Sequence, residues 1–92
     1  APHNPMGPVA TAVNVHFAAA TTNFLVLEFV PHDTGRRAQF VQEPWVPKDG
    51  YLPLPTKPGW GIELNEEAIA RYPYKPWRRG DPRRPDRSPA FI

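Results

Sequence analysis

Residues 24–30 have the sequence FLVLEFV, and this nearly continuous apolar run decides the fold class. Its length and its branched and aromatic side chains are typical of a β-strand buried on both faces, as in a parallel sheet. Its one polar member, Glu28, lies near the carboxyl end, and a turn is predicted over residues 31–35. The run therefore predicts an α/β protein with this strand inside a sheet.

A helix is predicted before the strand, over residues 8–20. Gly7 suits the N-cap and Pro8 suits the first helical position, since proline has no amide hydrogen to lose there. Four apolar side chains share one helical face: Val9, Val13, Phe17 and Ala20. Three more, Ala12, Val15 and Ala19, lie close by, so we expect this wide apolar surface to pack closely against something large. One helix and one buried strand cannot complete a sheet. We expect the missing strands in preceding sequence or in other chains, and the start at Ala1 rather than Met is expected from either processing or a missing front.

The second half of the chain is predicted to be rich in loops. Its share of the 14 prolines is high, and proline usage overall is about three times the average of ~5%. Residues 36–42 form either a short helix or a loop. An edge strand over residues 51–55 would pair with residues 61–64 across a Pro-Gly turn. A last short helix is predicted over residues 66–71, with Asn65 as its cap.

The composition excludes several classes of site. The 92 residues include no cysteine, which rules out disulfides, cysteine-based zinc sites and a thiol nucleophile. No apolar stretch approaches the roughly 18 residues that a membrane span needs. Ser88 is the only serine and lacks the flanking motif of a nucleophile elbow. The lone G-x-G at residues 59–61 follows no buried strand, so it predicts no dinucleotide site.

The basic tail supports an alternative function. Residues 74–79, YKPWRR, interleave bases with aromatic rings, a combination that binds single-stranded nucleic acid through phosphate contacts and stacking. A small, basic, proline-rich module for nucleic acid or acidic partners is therefore the alternative reading. The residues favour instead a terminal segment that packs its aromatic rings on the body, because Asp81, Asp86 and the prolines dilute the positive charge.

Glu28 is the most informative candidate for a site residue. A carboxylate at the end of a buried strand is costly unless it is paired, hydrogen-bonded or protonated. In a parallel α/β barrel, the carboxyl ends of the strands carry the active site. The pattern fits equally an edge strand on which Glu28 faces water, and the residues alone do not decide between these interpretations.

Three histidines are present, without zinc-ligand spacing. His3 precedes the helix, on the side of a barrel where catalytic loops lie, and a histidine suits proton transfer there. By itself it is better explained as a surface side chain near the terminus. His16 reads as a packing or surface residue of the helix, and His32 as a solvated loop residue.

Two sets of motifs resemble a known family. Residues 1–8 read APHNPMGP and precede the Ala-rich helix and NFLVLE at 23–28. Further along, GYLPLP at 50–55 and PGWGIELNEE at 58–67 follow in the same order as in that family. The chain, up to about Trp77, resembles the C-terminal part of galactonate dehydratase-like members of the mandelate racemase group, within the enolase superfamily.

The resemblance implies a fold and a division of the chain. The family combines a modified TIM-type (β/α) barrel with an α+β capping domain. Residues 1–49 would end the barrel domain, with His3 closing the seventh strand and residues 24–30 forming the eighth. Residues 50–92 would return toward the capping domain and finish in the Arg/Pro-rich tail. The chain would thus be a C-terminal fragment of the barrel plus a loop-rich segment.

The resemblance also implies a reaction, the magnesium-dependent dehydration of a sugar acid such as an aldonate to a 2-keto-3-deoxy acid. His3 matches the base that abstracts the proton next to the carboxylate. Glu28 matches the acid that stabilises the enediolate, and it would have to be protonated to donate a hydrogen bond. The Mg²⁺ ligands and the second acid are expected upstream, so the fragment alone would be inactive.

The partners implied are the sugar acid, the remaining barrel and the capping domain. A homo-oligomer and a cytoplasmic location are expected, with no membrane contact.

Overall fold

The computed structural model describes residues 1–31, 35–77, 80, 83–88 and 90. Within these residues three helices form: α1 (Pro8–Ala19), α2 (Gly35–Ala38) and α3 (Glu66–Arg71). Isolated antiparallel bridges join Val41 to Leu64 and Lys48 to Tyr51, and no longer strand occurs in this part of the chain. None of the described helices is long and apolar enough to cross a membrane.

Helix α1 confirms the prediction from its local signals. Gly7 is the N-cap and Pro8 occupies the first helical position. Only part of the predicted apolar surface is buried within this chain, because Val9, Val13 and Phe17 are exposed, Phe17 by 58%. The helix instead buries a face of mostly smaller side chains: Pro8, Thr11, Ala12 and Val15.

Trp45 explains which face of α1 is buried. Its indole packs against Ala12 and Val15, where the small alanine leaves room for a large ring. Its Nε1–H donates a hydrogen bond to the carbonyl oxygen of Pro8 over 2.9 Å, in a buried position. The ring therefore holds the first turn of α1 by a polar contact and its middle by apolar contacts.

Residues 24–30 do not form the buried strand that was predicted. No ladder includes them, and Leu25 is 84% exposed. A strand buried on both faces needs neighbours on each side, and the described residues supply none. Leu27 and Phe29 are nevertheless partly buried against the Ala12, Val15 and Trp45 cluster. The run therefore reaches the core through two alternate side chains.

The predicted hairpin between residues 51–55 and 61–64 is wrong in its pairing. Residues 63–65 pair instead with residues 40–42, through Gln42 N–H to the Glu63 carbonyl at 2.9 Å and Asn65 N–H to the Phe40 carbonyl at 3.0 Å. Two of the five residues at 51–55 are prolines, which have no amide hydrogen to donate to a ladder. Residues 40–42 contain no proline, so they keep all their amide hydrogens and pair with residues 63–65 instead.

Helix α3 confirms the prediction for residues 66–71, and its cap is observed. The Asn65 Oδ1 accepts a hydrogen bond from the Ala68 amide over 3.1 Å. The acidic side chains of Glu66 and Glu67 lie in the first turn, where the helix dipole favours negative charge. Helix α2 is shorter than the segment 36–42 considered for a helix, since residues 39–40 already form a turn.

Gly61→Ala should destabilise the fold more than Gly59→Ala. Both glycines have positive φ, 69° and 65°, so a methyl group strains the backbone at either position, by about 1–2 kcal/mol. At Gly61 the added Cβ would also overlap the Pro55 ring, whereas at Gly59 it meets open space. We expect about 3 kcal/mol or more for Gly61→Ala from urea unfolding. Equal losses for the two variants would contradict the Pro55 contact.

Trp45→Phe should lower the free energy of unfolding by about 1–2 kcal/mol, because the hydrogen bond to Pro8 is lost and the smaller ring fills the site less well. Trp60→Phe is the matched control, since Trp60 is about half exposed. It should change the free energy of unfolding by less than about 0.5 kcal/mol. Thermal or urea unfolding of both variants measures the difference, and a Trp60 effect as large as that of Trp45 would count against the assigned core.

Candidate active site

The two residues that the sequence singled out lie in contact. His3 Nδ1 is 2.7 Å from Glu28 Oε2, and the side chains are 80% and 45% exposed. His3 belongs to the segment before α1, and Glu28 to the apolar run after it. An imidazole beside a carboxylate, open to solvent on one side, has the composition of a proton-transfer site.

A second donor reaches the same carboxylate oxygen. The backbone amide of Asn4 donates to Glu28 Oε2 over 2.7 Å, across 24 residues of sequence. Short hydrogen bonds to an ionised carboxylate are stronger than bonds between neutral groups. Two consecutive residues, His3 and Asn4, therefore hold Glu28 from the N-terminal segment.

Asn4 is completely buried, and both the nitrogen and the oxygen of its side-chain amide are hydrogen-bonded. Its Nδ2 donates to Thr11 Oγ1 over 3.1 Å, and its Oδ1 accepts from Asn14 Nδ2 at 3.2 Å. Thr11 in turn donates to the Gly7 carbonyl over 3.3 Å. This set of three side chains, Asn4, Thr11 and Asn14, is called the Asn4 anchor below.

The sequence analysis missed the Asn4 anchor, although a signal was present. Thr11 and Asn14 are three residues apart, so they lie on one face of α1, and with His16 they are the polar side chains of a helix that is otherwise apolar. A polar pair on a packed helix face needs a polar partner. The partner lies outside the helix, next to His3, and helical periodicity does not identify it.

The other histidines lie apart from this pair. His16 Nε2 is 3.2 Å from the Trp60 carbonyl oxygen, and its ring is 5.7 Å from the Trp60 ring, which agrees with the predicted packing role. His32 falls outside the described residues. Within the described parts of the chain, no group of three or more His, Cys, Asp or Glu side chains could hold a metal ion. These residues therefore do not fit a complete magnesium site.

The clear pKa shifts are on exposed groups away from His3. A hydrogen bond and the charge of Glu43, 2.7 Å away, raise the pKa of the Lys57 ammonium group. Hydrogen bonds from the Ser88 hydroxyl and amide lower the pKa of the Asp86 carboxyl. Both are local surface pairs and do not bear on the chemistry at Glu28.

The tail departs from the predicted packing. Tyr74 and Trp77 are 86% and 78% exposed, so their rings do not cover the body as expected. Arg78 and Arg79, which complete the basic motif, lie outside the described residues. In the described part of the tail, these two exposed aromatic rings flank Lys75 in the sequence.

Comparison with known proteins identifies the family of this chain. Residues 1–68 match the model of the enolase C-terminal domain-like family. A D-galactonate dehydratase family member of Streptomyces bingchenggensis is 36% identical over 77 residues, covering 82% of this chain and 18% of that protein. A D-mannonate dehydratase of Novosphingobium aromaticivorans is 35% identical over 71 residues, covering 77% of this chain and 17% of that protein. The chain therefore spans about a fifth of the length of these relatives.

A solved structure indicates the same superfamily. An enolase from Agrobacterium radiobacter, named as a candidate galactarate dehydratase and crystallised with sodium and L-malate, is 46% identical to this chain. The match has a TM-score of 0.84 and covers all of this chain and 27% of that protein. The family model that matches residues 1–68 and the backbone of this 46% identical relative both indicate the enolase superfamily. The chain thus belongs to the enolase C-terminal domain-like family, among the galactonate dehydratase-like members of the enolase superfamily.

Proposed function

We propose that this chain supplies the C-terminal part of a magnesium-dependent sugar-acid dehydratase, with His3 and Glu28 at the active site. The observation that carries the proposal is the 2.7 Å contact between His3 Nδ1 and Glu28 Oε2. Relatives named for D-galactonate, D-mannonate and D-xylonate support an aldonate as the substrate class. L-malate, bound by the Agrobacterium radiobacter protein, is likewise a hydroxy acid.

His3 is proposed as the base that takes the proton next to the substrate carboxylate. With the proton of the neutral ring on Nδ1, that atom donates to Glu28 Oε2, and Nε2 keeps a free lone pair. Transfer breaks the substrate C–H bond, forms an N–H bond at Nε2 and leaves the electron pair on the enediolate. The Oε2 atom of Glu28 continues to accept from Nδ1–H of the imidazolium that results and stabilises it.

Glu28 is proposed to stabilise the enediolate when it carries a proton. Its Oε2 accepts from the Asn4 amide and faces His3, so a carboxyl proton would reside on Oε1. From Oε1 a protonated Glu28 can donate to the negative charge that develops on the substrate carboxylate. Loss of the neighbouring hydroxyl, with its proton supplied by an acid outside this chain, and tautomerisation would then give a 2-keto-3-deoxy acid.

Magnesium dependence is part of the proposal and rests on the family resemblance. Because the described residues do not fit a complete metal site, its ligands would lie outside them. Glu63, Glu66 and Glu67 are not assigned as ligands, since they lie at the start of α3 or just before it. The proposal therefore limits the role of this chain to the base and one acid.

The remaining predictions concern the whole protein. Residues 1–49 are proposed as the end of the barrel domain and residues 50–92 as the segment returning to the capping domain. The core joins both parts, because Leu52 and Ile62 pack with Leu27 and Phe29 on the same cluster. Dependence of activity on the remaining barrel, a homo-oligomeric assembly and a cytoplasmic location are proposed on the same grounds.

His3→Asn in the complete protein should abolish turnover of D-galactonate, D-mannonate and D-xylonate, by at least about 10²–10⁴-fold, because asparagine cannot accept the proton. Magnesium binding, followed by calorimetry, should be unchanged. His16→Asn is the matched control, since His16 contacts Trp60 and lies outside the pair. Near-normal turnover by His3→Asn would overturn the role of His3.

Glu28→Gln should lose less activity than His3→Asn, because a neutral amide still accepts from the Asn4 amide and still donates toward the substrate. Glu28→Ala, which can do neither, should lose more than Glu28→Gln. Steady-state turnover of the three variants with the same sugar acids and Mg²⁺ gives the order. Loss of magnesium binding by Glu28→Gln would show that Glu28 is a metal ligand instead.

A further inference from the structure

We propose that Asn4 is a positioning residue, which fixes the His3–Glu28 pair relative to helix α1 through its side-chain bonds to Thr11 and Asn14. The inference deepens the proposed function and rests on it for its catalytic consequence. Its structural basis is independent of the reaction, because each contact of the Asn4 anchor is observed in the described residues.

Within this chain, His3 has little packing of its own. Its side chain is mostly exposed, so surrounding atoms do little to restrict its position. One peptide unit away, Asn4 is completely buried. The backbone between them is therefore held at Asn4, and the freedom of His3 is largely limited to its own side-chain rotations.

The side-chain amide of Asn4 is bonded to helix α1 at both of its ends. Asn4 donates from Nδ2 to Thr11 and accepts at Oδ1 from Asn14, so both ends of its amide are used. A carboxylate lacks the donor, and an apolar side chain lacks both groups. Burial of a polar side chain is costly unless its hydrogen bonds are made, so the two bonds to α1 also select the buried position.

The Asn4 anchor is connected to Glu28 through the Asn4 amide and the neighbouring His3. The amide of Asn4 and the imidazole of His3 both lie 2.7 Å from Glu28 Oε2. A shift of Asn4 relative to α1 would therefore move both the Asn4 amide and the His3 imidazole relative to this oxygen. Misplacement of catalytic groups by about 1 Å can cost roughly 100-fold in rate. The Asn4 anchor is thus placed to control the geometry of the pair without touching substrate.

Thr11 offers the cleanest test, because substitution of Asn4 itself risks loss of the fold. Thr11→Val keeps the shape of the side chain but removes the hydroxyl that accepts from Asn4 Nδ2. Thr11→Ser keeps the hydroxyl and serves as the conservative rescue. Thr21→Val is the matched control, since the Thr21 hydroxyl also donates to the carbonyl four residues earlier, at Phe17, but makes no contact with Asn4.

The readouts are kcat and KM of the complete protein with Mg²⁺ and D-galactonate, D-mannonate or D-xylonate, and the ¹⁵N resonance of His3 Nδ1 after histidine labelling. His3→Asn identifies that resonance. Thr11→Val should lower kcat by about tenfold, change KM less, and move the Nδ1 resonance. Thr11→Ser should restore both values, and Thr21→Val should leave both unchanged.

Two results would overturn the inference. One is a Thr11→Val protein that loses thermal stability but keeps the wild-type kcat and the wild-type Nδ1 resonance, which would make the anchor structural only. The other is equal effects of Thr11→Val and Thr21→Val. If His3→Asn keeps full turnover, or no sugar acid is dehydrated by the wild type, the proposed function fails. The Nδ1 resonance then decides alone whether the Asn4 anchor positions His3.

Discussion

One carboxylate oxygen, Glu28 Oε2, connects the two segments on which the candidate site depends. It lies 2.7 Å from both the Asn4 amide nitrogen and His3 Nδ1. Two nearby nitrogen donors attract the negative charge of the carboxylate. They also fix the direction of this oxygen, because hydrogen bonds weaken steeply when they are misaligned. The contact thus combines a structural and a proposed chemical role in one atom.

Helix α1 supports this contact from two directions. Its Thr11 and Asn14 hold the Asn4 side chain, while its Ala12 and Val15 pack on Trp45. Leu27 and Phe29 pack on the same apolar cluster, which brings the segment that carries Glu28 against the helix. The polar anchor therefore acts on the segment that carries His3, and the apolar core acts on the segment that carries Glu28. Disturbing either should move His3 relative to Glu28.

Membership of the enolase C-terminal domain-like family is the ground on which a chemical role is proposed for this contact. The same His–Glu contact in an unrelated fold would be an ordinary exposed ion pair, worth at most about 1 kcal/mol. Here the relatives bear the names of sugar-acid dehydratases, and the chain spans about a fifth of their length. The base and one acid are therefore proposed for this chain. The metal ligands and the second acid are proposed for the remainder of the protein.

The sequence by itself determined helices α1 and α3, because their signals are local: Pro8 at a first helical position and Asn65 as a cap. Its motifs also indicated the family and singled out His3 and Glu28. Only the tertiary structure decided that residues 40–42, rather than 51–55, pair with 63–65, and that α1 turns Ala12 and Val15 inward. It also revealed the Asn4 anchor. These features depend on Trp45, Glu28 and other partners far along the chain. Periodicity within one segment carries no information about which distant group will pack on that segment or bond to it.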